Sequence, residues 1–374
     1  MKITYVANSR IPTPRAHGIQ IVKMCEVLSE RGHEITLIVP RRFNHVKEDL
    51  YTYYGVKRIF KFVRLPTIDL IWFGRVGFKV QSFVFSLTAS LYCLFFARGV
   101  IYSRDELFIF FATLINPHCY FEAHVNSYNW ITRGVIYRSE KMVTISQGLK
   151  RFYIGKGLDI KKSIVAPSGV DVKTFDVEIS QADARKKLGL PEDRFLLGYS
   201  GSFKTMDMEK GIECILGALK ELDDPSILFV AIGGDVAHIA QYKEVAERMH
   251  VSEQVYFLKR VPSEVLALYH KACDVLLMPF PSISHYTDYM SPVKMFEYMA
   301  TKRPIIASDL PSIREVLDDT NGFFCVPGNH HDLASKIVYV REHREEKDRI
   351  VSKAFSDVQN YTWDARMYKI FPNL

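Results

Sequence analysis

Lys294 and Glu297 stand three residues apart in SPVKMFEYMATKRPIIASDLPSIREVL, residues 291–317, at the opening of a helix-start signal. Ser291 reads as the N-cap, Pro292 as the first helical position and Val293 as an apolar anchor, and the strand-type run Ile305-Ile306-Ala307 follows. The free N–H groups and positive end of such a helix attract phosphate, and Lys294 adds a full charge one turn in. Glu297 lies roughly 9 Å beyond the cap at about 1.5 Å per residue, close to the separation of diphosphate and ribose in one nucleotide. A carboxylate there can accept from both ribose hydroxyls. The same residues also suit a buried helix held by Val293, Phe296 and Ala300, with Lys294 and Glu297 as an i,i+3 surface ion pair.

Further along this half, Gly198-Tyr199-Ser200-Gly201-Ser202-Phe203 leaves a strand through small residues, and Lys204 and Lys210 occupy the loop before a helix expected over 211–219. Two ammonium groups at a strand's carboxyl end can neutralise a departing diphosphate, although lysines in loops are more often just solvated. Gly233-Gly234 either lets backbone approach a ligand or simply turns the chain. Asp288 and Tyr289 precede Ser291 on a loop able to face the same ligand. In the first half Glu122-Ala123-His124 ends a strand, which puts a histidine where it meets a sugar, an acceptor or only solvent. The 8–18 loop, holding Pro12, Pro14, His17 and Gly18, is long for a βα connection, and such loops bind ligands in open α/β sheets. It contains no GxGxxG, and the chain has no HExxH and no defensible Ser/His/Asp set.

The elements that must position these groups alternate strand and helix from end to end, which predicts α/β domains with parallel sheets. Strands are expected at 3–6, 35–39, 100–102, 120–123, 141–145 and 164–166, then at 195–200, 227–232, 255–258, 275–278, 305–307 and 323–326. The turn after 164–170 and the polar run that follows divide the chain into a domain over 1–170, rejoined by a C-terminal helix over 356–374, and a second over 171–355. With 374 residues, 48% of them hydrophobic, there is enough chain for two sizeable cores. The net charge of +7 suits an anionic ligand or an acidic membrane surface, but no long basic tract points to nucleic acid. Six scattered cysteines with no CxxC indicate neither zinc nor a disulfide framework, so a reducing cytosol is expected. The apolar run 83–97 falls short of the ~20 residues of a spanning helix. It reads as a buried helix or, with Lys57, Arg58, Lys61, Arg64, Arg75 and Lys79 ahead of it, as a helix at an anionic membrane surface.

In order along the chain, the 8–40 segment, VTISQGLKRF, APSGVDVKTF, YSGSFKTMDMEKGIE, CDVLLMPF with residues 291–317, and TNGFFCVPGN with YTWDARMYKIF resemble the retaining family-4 glycosyltransferases (glycosyl transferases group 1) of the GT-B fold. The resemblance implies two Rossmann-like α/β domains facing each other across a cleft, and transfer of a sugar from a nucleotide-diphosphate sugar to a glycan or lipid-linked acceptor. Bacterial cell-surface polysaccharide or glycolipid synthesis is the expected process. By the same resemblance Glu297 binds the ribose, Lys210 the diphosphate and His124 the transferring sugar. Gly18 lets the first loop approach the donor, and backbone near Arg260 and Val261 holds the base. No metal or other cofactor is required. Two positions depart from the pattern: Tyr289, beside Asp288, stands where the first of two glutamates is usual, and Ser202 stands where an arginine is common, with Lys204 as its substitute. A nucleotide-sugar 2-epimerase on the same fold and a non-catalytic nucleotide-sugar binder are the competing readings. The expected location is the cytoplasm, with peripheral contact to the inner face of the membrane.

Overall fold

Short apolar runs with an inward residue on both faces build parallel strands that are buried on two sides. In the computed structural model, which describes residues 1–205 and 208–372, these strands form two parallel sheets in two compact units, 1–168 with 363–372 and 169–362.

The first sheet holds β1 (Lys2–Val6), β2 (Glu34–Pro40), β3 (Lys61–Leu65), β4 (Val100–Ser103), β5 (Cys119–Ala123), β6 (Lys141–Thr144) and β7 (Ser163–Val165). Its order is β3-β2-β1-β4-β5-β6-β7. The helix Ala16–Glu30 packs Ile21, Val22 and Cys25 against Ile3, Tyr5 and Leu37 of the sheet. The C-terminal helix Trp363–Ile370 joins this core through Trp363, Met367 and Ile370, and Phe371 stacks on Tyr120 with ring centroids 5.3 Å apart.

The second unit holds β8 (Phe195–Ser200), the antiparallel pair β9 (Lys204–Thr205) and β10 (Met208–Glu209), then β11 (Ile227–Ile232), β12 (Val255–Leu258), β13 (Val275–Met278), β14 (Ile305–Ser308) and β15 (Phe323–Cys325). Its parallel sheet runs β12-β11-β8-β13-β14-β15. Side chains alternate across it: Leu196 packs with Leu276 and Met278 in one layer, while Leu197 and Tyr199 pack with Phe229 and Leu277 in the other.

Three local expectations change. β3 and the β9–β10 pair form where no strand was expected; β3 sets Phe62 and Val63 between the exposed Lys61 and Arg64 at the sheet edge, a pattern too mixed for an apolar-run criterion. The helix that includes 83–96 begins at Gly74, and it is not a buried helix: Leu87, Leu91 and Leu94 are exposed along it. The site helix starts at Val293, with Pro292 as the N-cap residue at φ −72°, ψ 125° and no side-chain cap, so Ser291 is not the cap. Proline fixes only φ, and the ψ of 125° at Pro292 is extended, so the first helical residue is Val293, one position later than expected.

Candidate functional site

From β8 the second sheet grows to β11 and β12 on one side, then crosses to β13, β14 and β15 on the other. Ligands of open α/β sheets bind beyond the carboxyl ends of the strands at such a reversal. Here that position is occupied by the Gly201 turn after β8, Phe280 after β13, and the helix Val293–Ala300. Tyr298 ties the helix to the sheet, its hydroxyl accepting from Ser200 N at 2.7 Å.

Lys294 is the unusual group in this place. Only 8% of the residue is exposed, and its ammonium lies 3.5 Å from the centroid of the Tyr199 ring and 5.4 Å from that of Phe280. It has no hydrogen-bond acceptor among the described residues. A Cβ at Gly201, whose φ is +116°, would sit 3.2 Å from the Lys294 Nζ, so glycine serves both the turn and the lysine. Gly233 is required in turn, because its Cβ would lie 2.7 Å from the Gly201 carbonyl oxygen.

Four ionisable groups share one field. Burial, then the neighbouring Lys210, hold the Lys294 ammonium well below its usual range, against Glu297 and Glu209. Burial and Arg260 bring Lys210 down to about 8. Burial pushes the Glu297 carboxyl up to about 7, although Lys294 and Arg260 pull it down. Three cations and one acid meet at the mouth of the sheet, with burial the main cause of each shift and charge repulsion between the cations adding to it. The surface ion pair allowed by the sequence does not describe Lys294, which is buried against an aromatic ring.

The other expected residues are distributed less evenly. Arg260 and Val261 follow β12, ahead of the helix Ser263–Ala272, and Arg260 lies close enough to shift both Lys210 and Glu297. Asp288 ends the short helix Ser284–Asp288 and Tyr289 is its C-cap. The Ser202 carbonyl accepts from the Tyr199 hydroxyl at 3.1 Å. Lys204 turns to another element, donating to Gln241 Oε1 at 3.1 Å, so it is not grouped with Lys210 and Lys294. Met206 and Asp207, within the expected phosphate-binding stretch, lie outside the described residues. Sequence reasoning missed Glu209, whose carboxylate accepts from Gly211 N at 2.5 Å and Glu213 N at 3.2 Å and so covers the start of the helix Ile212–Leu222. A glutamate ahead of a glycine-started helix was the available signal.

His124 and Gly18 belong to the first unit. At the end of β5, Glu122 is buried and gathers its neighbours: His124 Nε2 at 2.5 Å, Arg366 Nη2 at 2.9 Å, Gln20 Nε2 at 3.2 Å, and the Tyr102 hydroxyl. Burial pushes the Glu122 carboxyl up, but Arg366, His124 and Arg104 outweigh it and hold the group well below the usual carboxylate range. Burial and Arg104 lower His124 to about 4 in spite of Glu122. The pair is therefore a neutral imidazole donating Nε2–H to an ionised carboxylate, which leaves Nδ1 as an acceptor. At the reversal of this sheet, between β1 and β4, Asn8, Ser9, His17, Arg104 and Asp105 line a cavity of about 190 Å³. Burial raises Asp105 to about 6. Gly18 has a local explanation, since its Cβ would lie 2.3 Å from the Tyr54 hydroxyl, which is fixed by Thr13.

Residues 180–357, within the second unit, match the family described as "Glycosyl transferases group 1". Alpha-monoglucosyldiacylglycerol synthase of Streptococcus pneumoniae is 23% identical over 247 residues, 64% of this chain and 51% of that protein. The chain spans about half the length of the curated relatives it matches. Among solved structures, sucrose-phosphate synthase of Thermosynechococcus elongatus superposes with a TM-score of 0.79 at 18% identity, over 99% of this chain and 97% of the other. Anabaena Alr3699/HepE, solved in complex with UDP and glucose, superposes with a TM-score of 0.77 at 16% identity over the whole of both chains. The fold of the two Rossmann-like units is GT-B.

Arg366→Ala leaves Glu122 buried with its strongest counter-charge gone, and the first unit is expected to lose about 3–5 kcal/mol in urea unfolding at pH 7. A carboxyl depressed in the folded state stabilises above its unfolded pKa and loses that contribution as pH falls through the folded one. With Arg366 removed the depression shrinks, so the variant has less Glu122-linked stability to lose and its deficit against the native chain should narrow as pH falls. Equal unfolding of the two proteins from pH 7 to 4 would contradict the assignment.

Proposed function

We propose that the chain is a retaining glycosyltransferase that moves a sugar from a nucleotide-diphosphate sugar to a glycan or lipid-linked acceptor, in bacterial cell-surface polysaccharide or glycolipid synthesis. The observation that carries this reading is the buried Lys294 ammonium, held on the Tyr199 ring beside Gly201 with no hydrogen-bond acceptor among the described residues. A diphosphate at the Gly201 turn supplies that acceptor and the missing negative charge. The match to glycosyl transferases group 1 over 180–357 supports the same assignment. A glycolipid relative supports the lipid-linked acceptor. All six cysteines are unpaired, which suits a reducing cytoplasm.

In this reading the bond from the anomeric carbon to the diphosphate oxygen breaks while the acceptor hydroxyl attacks from the same face. The acceptor's proton passes to the departing phosphate. Lys294 and Lys210 neutralise the charge that grows on the diphosphate, with no metal assigned a part. Glu297, one turn beyond Lys294 on the same helix, accepts from the ribose hydroxyls. Arg260 and Val261 lie at the base, and Asp288 and Tyr289 at the donor sugar. His124, neutral above about pH 4, offers the transferring sugar a hydrogen-bond acceptor and not an acid.

Nucleoside diphosphate affinity is expected to peak near pH 7–8. As pH rises through about 7 Glu297 ionises and becomes the better ribose acceptor, and above about 8 the free Lys210 loses its proton, so binding then requires proton uptake and weakens. Calorimetry across pH 6–9.5 checks this, and Glu297→Gln should remove the acid limb while keeping the basic one. Glu297→Ala should lose about 1.5–3 kcal/mol of nucleotide affinity with an unchanged melting temperature.

Lys210→Ala is expected to lower turnover more than ground-state binding, because its charge counts most as the diphosphate departs. Comparing single-turnover rate with nucleotide affinity separates the two, and a loss confined to affinity would reassign the residue.

Slow donor hydrolysis without acceptor, undiminished by a metal chelator, is the expected behaviour of the enzyme itself. The configuration of the glycoside formed with acceptor, read by NMR, tests the retaining course directly.

A further inference from the structure

A surface helix of a water-soluble fold turns its apolar side inward. The helix Gly74–Phe96 does the opposite. Val76, Val80, Phe83, Leu87, Leu91 and Leu94 are all exposed, and at about 100° per residue they fall within roughly 80° of arc, a single stripe along the helix. The opposite side is buried and partly polar, with Gln81, Ser82 and Ser86 among Gly77, Ala89 and Cys93.

That inner side is hydrogen-bonded to the first-unit cavity. Gln81 Nε2 donates to Asn8 Oδ1 at 2.9 Å, Asn8 Nδ2 donates to Ser82 Oγ at 2.9 Å, and Asn8 N donates to Asp105 Oδ2 at 3.1 Å. Asn8 and Asp105 both line the 190 Å³ cavity. The apolar surface continues off the helix through a chain of rings, Phe83 to Phe111, Phe111 to Phe110 and Phe110 to Trp130, with centroids 6.1, 5.8 and 5.3 Å apart. An exposed indole stands at each end of the band, Trp72 at 86% exposure and Trp130 at 71%.

Charge selects the occupant. Between residues 70 and 105 there is no aspartate or glutamate, while Arg75, Lys79 and Arg98 are basic. An apolar band with cations of one sign and indoles at its ends is complementary to a leaflet of anionic phospholipid, where aromatic rings settle at the headgroup level and basic side chains meet the phosphates. By length and composition the segment Ile71–Phe96 is long and apolar enough to cross a membrane. Its bonds to Asn8 and its packing on the helix Glu106–Ala112 hold it to the first unit, so it lies in the plane of the interface.

We propose that the outer face of the Gly74–Phe96 helix is a membrane seat on anionic lipid, and that Gln81, Ser82 and Asn8 transmit the seating to the 8–18 loop and its cavity, where the head group of a lipid-linked acceptor arrives. The seat itself does not depend on the reading under Proposed function; only the acceptor does.

Tryptophan emission reads the seat directly, because the chain has three tryptophans and the third, Trp363, is 4% exposed in the core. Addition of phosphatidylglycerol vesicles at low salt is expected to shift emission to shorter wavelength and to sediment the protein, while phosphatidylcholine vesicles do much less. Leu87→Glu with Leu91→Glu should cut the bound fraction by about tenfold or more, with melting temperature and nucleoside diphosphate affinity unchanged, since both side chains already face solvent. Hydrogen exchange in the 8–18 loop should slow on vesicle binding in the native chain but not in Gln81→Ala. No sedimentation with phosphatidylglycerol, or undiminished sedimentation of the double variant, would overturn the seat. A concentration-dependent dimer that the double variant abolishes would also overturn it, in favour of a second copy covering the stripe. Vesicle binding without the exchange effect would overturn the link to the cavity.

Discussion

The first unit is organised around one buried carboxylate. Glu122 sits at the carboxyl end of β5 where a charge cannot be left unpaired, and residues from four separate stretches converge on it: Gln20, Tyr102, His124 and Arg366. That convergence has structural consequences. Arg366 brings the last helix of the chain back onto the first sheet, and its Nε also donates to the Pro167 carbonyl at 3.0 Å. The same carboxylate fixes the imidazole of His124 in one tautomer, so a sheet-building constraint also decides which nitrogen of the histidine is free.

The second unit carries the opposite arrangement. Lys294 is buried like Glu122 but lacks the acceptors that would settle its charge, and Lys210 and Arg260 add to the imbalance around it. A buried charge without a hydrogen-bonding partner is costly. The fold tolerates it through the Tyr199 ring, the Gly201 turn and a lowered ammonium pKa. In the first unit the buried charge is saturated and ties the fold together; in the second it is left wanting, beyond the strand ends at a sheet reversal.

The Gly74–Phe96 helix extends this contrast from charge to apolar surface. Gln81 and Ser82 on its inner side are engaged by Asn8 and its outer stripe has no cover among the described residues, so its preferred environment is one that these residues do not provide.

Much of this architecture was legible in the residues. Apolar runs predicted most of the strands to within a residue or two, and helix spacing alone placed Lys294 and Glu297 on one helix. These are local properties, set by backbone geometry and the burial of neighbouring side chains. What the sequence could not decide were the quantities that arise when distant segments meet. β3 is mixed in character and becomes a strand only because β2 offers an edge. Glu209 matters only once its carboxylate covers a helix start, and Lys204 stands apart from Lys210 and Lys294 because Gln241 lies within reach. Arg366 and Glu122 find each other only after the chain has returned to the first sheet. Whether the 74–96 stripe faces inward or outward is likewise a tertiary decision, because periodicity defines that a helix has two faces, and only packing determines which one the core accepts.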